Sequence, residues 1–304
     1  MSARLSFSLA VAVVAATLAQ AAAKDEPFLK IHEGRHWIGI ARQDQYEKQK
    51  ADIEALYDYA DTAFDTLCKD WGMKPPKPKY VLLVNPQPGG GFAGGDIGEA
   101  HAFVGNGDCP GIGCSYDAFS GTAHHIKAYW AHILITHEMV NLFTGQIVSG
   151  GWPVDWWADH RSPFPYMTAV SVETELVPDM GVWHRADGTD PMIAMFETMR
   201  ERYGWAMFRA AFKAAIADGI NWDKFGENPS KLRTAYVCAY LQIGAPGDIS
   251  SILATQVPDF DAQVMKDIVK AHTKWTGLPA GSESRKNLQD AFLKGDYQSV
   301  LSAP

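Results

Sequence analysis

A chain of 304 residues with 47% hydrophobic and 20% charged side chains can bury a substantial core and has the composition of a folded globular protein. Its formal net charge is −8 with ten histidines counted neutral, and no Lys/Arg run is interleaved with aromatics. Both features argue against a phosphate-backbone partner, so no nucleic acid is expected.

The N-terminus reads as a targeting segment. Arg4 supplies a positive start, Leu5 to Leu18 is apolar, and Ala19-Gln20-Ala21 and Ala21-Ala22-Ala23 both fit a small-x-small cleavage site. A stable membrane anchor needs ~18–20 unbroken apolar residues, whereas this run contains Ser6, Ser8 and Thr17. Residues 1–23 are therefore expected to be a signal peptide, with residues 24–280 a catalytic domain, residues 281–304 a C-terminal tail and the mature chain extracellular. Export makes the four cysteines candidates for disulfides. Three connectivities exist, and spacing favours Cys109 with Cys114 across a Gly/Pro loop, leaving Cys68 for Cys238. No paired C-x-x-C spacing supports a zinc held by the cysteines.

Residues 24–34 read as a polar leader, and His36 to Ile40 as a strand. Gln43 to Trp71 is the clearest helix, because Ile53, Leu56, Tyr57, Ala60, Phe64, Leu67 and Trp71 recur at helical spacing. Gly72 ends it, and Lys74 to Pro78 is an extended connector. Tyr80 to Val84 is a buried-type strand. Gly89 to Gly98 reads as a flexible glycine-rich rim, since no Gly-Lys-Ser/Thr follows to make a phosphate loop. Ala100 to Val104 reads as another short strand. A long helix is expected from about Thr122 to Phe143, followed by a Trp-rich segment at 152–157. Further helices are expected at Met167–Leu176, Pro191–Tyr203, Trp205–Ala217, Pro229–Ile243, Asp248–Ala254 and Asp261–Thr273. Beyond Gly277 the pattern is weak. The expected fold is α+β, with a small N-terminal mixed sheet and helices, a central active-site helix and a mostly helical C-terminal part.

The chemistry concentrates in His137-Glu138-Met139-Val140-Asn141 and in Trp156-Trp157-Ala158-Asp159-His160. Side chains four apart on a helix share a face, which is why H-E-x-x-H grips a metal with two imidazoles beside a glutamate. A catalytic zinc takes three protein ligands and a water, lowers the pKa of that water, and leaves the glutamate to accept its proton. Here His137 can be a ligand and Glu138 the base, but position 141 is Asn. Its neutral amide oxygen is a weaker zinc donor than imidazole and suits harder cations better. Asn141 could equally be a satisfied core or capping amide. Asp155 suits the N-cap of a helix starting at Trp156. His125 and His132, seven apart, read as core or surface histidines, and Glu173 and Glu175 as solvated or hydrogen-bonded helix residues.

These motifs resemble the gluzincin metallopeptidases, and more narrowly the "peptidase MA-like" proteins, in which a Trp-x-x-Glu-Gly segment follows the H-E-x-x-H helix. The order of strand, helix, Pro-rich connector, strand, short strand and active helix is similar too, as is a later helical region carrying Arg202-Tyr203-Gly204-Trp205. The resemblance implies a zincin-like fold, a zinc cofactor and Glu138 as base. Asp159 takes the place of the third ligand by local pattern. Counting eighteen intervening residues from Asn141 lands on His160 instead. His137, Asn141, Asp159 and His160 are therefore the candidate metal ligands. The resemblance also implies an oxyanion-stabilising Tyr or His, for which His184, Tyr236 and Tyr240 are candidates.

The function expected is a secreted metal-dependent hydrolase, most simply a zinc metallopeptidase acting on a peptide. The alternative is a catalytically inactive scaffold of the same kind that binds a peptide or glycan in an aromatic cleft. A carboxylate glycosidase pairing Glu138 with Asp155 or Asp159 ranks last, since it would need carboxyls ~5–9 Å apart.

Overall fold

A computed structural model describes residues 28–75, 77, 79–85, 91–94, 111–115, 132–133, 135–140, 142–143, 163–177, 191–220 and 229–304. The chain divides into two compact units, residues 1–62 with 77–138, and residues 63–76 with 139–304.

The first unit is built on a five-stranded mixed sheet in the order β1-β2-β3-β5-β4. β1 is Phe28–Glu33, β2 Trp37–Arg42, β3 Tyr80–Asn85, β4 Gly91–Gly94 and β5 Gly111–Ser115. β3 is central and parallel to both neighbours, with Gly39 opposite Leu82 and Leu83 opposite Gly113. That position explains its continuous apolar run, because a strand covered on both faces has no reason to alternate. Val81, Leu82 and Val84 are fully buried. β1 and β4 form antiparallel edges.

Parallel strands need a long crossover, and α1, Gln43–Trp71, supplies it between β2 and β3. Its apolar stripe is buried from Ile53 onward. Polar bonds pin it to β2: Tyr57 Oη donates to Ile40 O at 2.9 Å, and Trp37 Nε1 donates to Ala60 O at 3.2 Å. Asp61 accepts from the backbone N–H groups of Arg35 and His36, both at 2.8 Å, and so holds the β1–β2 turn. Gly72 follows α1 with φ +70°, the left-handed conformation glycine adopts freely beyond a helix end. The described residues between 132 and 143 are helical and are labelled α2.

The second unit holds α3 (Pro163–Leu176), α4 (Pro191–Asp218), α5 (Pro229–Gly244), α6 (Ser250–Gln256), α7 (Ala262–Thr276), α8 (Glu283–Leu293) and α9 (Tyr297–Ser302). α4 is kinked at Gly204, with φ 72° and ψ 179°, between the two expected helices. A polar knot joins three of these helices. Asp218 Oδ2 accepts from Tyr240 Oη at 2.7 Å and lies 2.8 Å from His272 Nε2. Among the described residues no helix is long and apolar enough to cross a membrane.

Five expectations are corrected. The polar leader contains a strand, β1, whose residues meet a partner on one side only. Part of the glycine-rich rim is strand β4, and the end of the cysteine loop is strand β5. In both, backbone pairing stands in for side-chain pattern. The weakly patterned tail forms α8 and α9, capped by Ser282 and Asp296, with Phe292 and Val300 fully buried. Lastly, the Cys68–Cys238 disulfide does not form: both are free thiols. Burial raises the Cys68 thiol to about 11, with Asp65 adding to the effect, and the Cys238 thiol to about 12. Cys109 and the expected strand at 100–104 lie outside the described residues, as does the expected signal peptide.

Phe292→Ala is expected to cost about 3–5 kcal/mol of stability, the usual penalty for emptying a fully buried aromatic site. Urea denaturation measures this, and a loss below ~1 kcal/mol would show that the tail is not part of this core. Thiol titration with Ellman's reagent should count Cys68 and Cys238 as reduced in the unfolded protein, while Cys238 stays unreactive in the folded one. Alkylation under non-reducing, denaturing conditions that leaves both unlabelled would contradict the free assignment.

Candidate functional site

The candidate site lies on α2. Ile133, Ile135 and Thr136 are buried and anchor the helix in the first unit. At about 100° per residue, His137 and Glu138 stand about 100° and 200° round from Thr136, so neither shares the side of the helix that meets Tyr59, whereas His137 shares a face with Ile133, four residues earlier. His137 is partly exposed, and Glu138 is buried at 7% exposure. Desolvation lowers the pKa of His137 to about 4. Its imidazole is therefore neutral at ordinary pH, and one ring nitrogen of a neutral imidazole carries a lone pair that can accept a hydrogen bond or bind a cation.

Across the first unit, α1 meets α2 through Tyr59. Its hydroxyl is 2.8 Å from Thr136 Oγ1, and its ring stacks on His132 with centroids 4.0 Å apart and an interplanar angle of 21°. His132 is thus a core histidine, the first of the two alternatives its spacing left open. Sequence reasoning did not single out Tyr59 or Thr136. The available signals were an aromatic beside the main apolar stripe of α1 and a hydroxyl residue between Ile135 and His137.

Of the predicted site residues, the structure describes His137 and Glu138, adjacent on α2. Asn141, Asp159 and His160 lie outside the described residues, as do Asp155, His125 and His184. Among the described residues no group of three or more His, Cys, Asp or Glu side chains could hold a metal ion. The expected zinc centre is therefore not met there: His137 is the one described member of the ligand set, and one imidazole does not make a metal centre. Two of the oxyanion candidates lie among the described residues. Tyr236 donates to Phe292 O at 2.9 Å and Tyr240 to Asp218, so both hydroxyls are engaged inside the second unit. Glu173 is fully buried in α3, and Glu175 pairs with Arg209 at 2.5 Å, the hydrogen-bonded one of the two expected alternatives.

Compared with protein-family models, with curated proteins and with solved structures, the chain finds no match.

The lowered pKa of His137 has a consequence for stability. Above pH 6.5 the imidazole is neutral in both the folded and unfolded chain. Between 6.5 and about 4 the unfolded chain takes up a proton that the folded chain excludes. Stability therefore falls as pH falls through this window, by up to roughly 3 kcal/mol, and this contribution levels off below it. Unfolding measured at pH 7 and pH 4.5 should show a shallower loss in His137→Gln than in wild type. Equal losses would mean that His137 is not excluded from protonation.

Proposed function

We propose that this chain is an exported metal-dependent hydrolase of zincin-like architecture, most simply a peptidase, with Glu138 as the base that accepts a proton from the attacking water. The observation that carries the reading is the pairing of a partly exposed, neutral His137 with Glu138 on a helix that follows this particular sheet. Among the described residues the elements run β1, β2, crossover helix α1, β3, β4, β5, then α2, and the run from β2 through α1 to β3 is similar to the start of the order that the resemblance implies. Export is supported by the sequence of residues 4–23.

His137 contributes a neutral nitrogen donor, and further donors would have to come from Asn141, Asp159 or His160. A metal bound there would polarise the scissile carbonyl and acidify the water. Glu138 would hold the water by its carboxylate and pass the proton to the leaving amine.

Asn141 favours a second reading, a scaffold that binds a peptide or glycan without cutting it, because it removes one imidazole from the motif. One comparison separates the two. A peptide library is incubated with wild type and Glu138→Gln, and metal content is measured by elemental analysis. The hydrolase reading expects about one metal per chain and chelator-sensitive cleavage that falls ~10²–10⁴-fold in Glu138→Gln with the fold unchanged. Peptide or glycan binding without cleavage by the wild type supports the scaffold, and equal cleavage by both proteins removes Glu138 from the mechanism.

A further inference from the structure

The contact between α1 and α2 is more directional than packing requires. Thr136 is fully buried, and a buried threonine inside a helix ordinarily bonds a carbonyl of its own preceding turn. Here Oγ1 lies 2.8 Å from Tyr59 Oη. One turn earlier, the same tyrosine ring stacks on His132. A single side chain therefore touches α2 at positions i and i+4 of one face, while His137 and Glu138 occupy another.

Burial of apolar side chains such as Ile133 and Ile135 favours a buried helix but by itself specifies no particular angle about the helix axis. A hydrogen bond and a ring stack do specify one, because both depend on angle. A roll of ~20° carries an atom ~6 Å from the axis through ~2 Å, well beyond the ~0.5 Å tolerance of a working site.

We propose that Tyr59 is a positioning residue of this site: by bonding Thr136 and stacking on His132 it fixes the rotation of α2, and with it the places of His137 and Glu138. Its kinetic consequence rests on the hydrolase reading above, whereas the positioning itself does not.

The test uses the full chain and the variants Tyr59→Phe, Thr136→Val, the double variant and Thr136→Ser. Tyr59→Phe keeps the stacking ring and removes only the hydroxyl, and Thr136→Val removes the other partner with little change of shape. Two quantities are read: kcat and KM on a peptide that the wild type cleaves, and the rate at which diethylpyrocarbonate modifies His137, followed by mass spectrometry. Each single variant is expected to lower kcat about tenfold or more, with KM within about twofold. The double variant should be no worse than the poorer single one, because one interaction is lost in all three. Thr136→Ser, which keeps the hydroxyl, should retain wild-type kcat. The modification rate of His137 should change by about threefold or more in the variants that lose the bond. An unchanged modification rate, or additive losses in the double variant, overturns the proposal. If the wild type cleaves no peptide, the hydrolase reading fails, and the modification rate alone decides whether Tyr59 sets the rotation of α2.

Discussion

Parallel pairing of β2 with β3 obliges the chain to travel from the end of one strand back to the start of the other, because a tight turn cannot join strands that run the same way. α1 is the solution to that constraint, and its 29 residues do more than cover the sheet. Tyr57, Ala60 and Asp61 bind it to β2 and to the β1–β2 turn. Tyr59, on the same stretch of helix, meets α2. The crossover is thus the part through which the order of the sheet reaches the helix that carries His137 and Glu138.

What could be read from the sequence follows from how each element is stabilised. α1 and β3 were legible because their signal is apolar: a 3.6-residue stripe in one, an unbroken run in the other. The break at Gly204 was legible because glycine is the residue that adopts its positive φ without strain. β4 and β5 were not, because Gly91–Gly94 and Gly111–Ser115 are held by backbone pairing to neighbours far away in sequence, and glycines display no side-chain period. α8 and α9 were missed for a related reason. Each buries few large side chains, and their ends are fixed by Ser282 and Asp296, single residues that resemble ordinary loop residues in a sequence. The free thiols of Cys68 and Cys238 show the limit of counting cysteines: an even number allows pairs without supplying the geometry a disulfide demands.

The candidate site was legible at the level of motif and not of support. His137 and Glu138 declare themselves by adjacency. The residues that hold them do not, since Tyr59 and Thr136 are 77 positions apart and neither belongs to a motif. Nor does the sequence say that His137 is neutral well into the acid range, which follows from burial and so from the fold.

By helical spacing, His132 and Thr136 share one side of α2, and neither His137 nor Glu138 lies on it. A buried hydroxyl pair contributes about 1 kcal/mol net, and an apolar pair of similar size would stabilise the contact at least as well without needing any particular angle. Stability alone therefore gives no reason to prefer Tyr59 with Thr136 over two aliphatic residues. What the hydroxyl pair adds is a defined rotation, and that rotation sets where the side chains on the other faces of the helix stand, His137 and Glu138 among them.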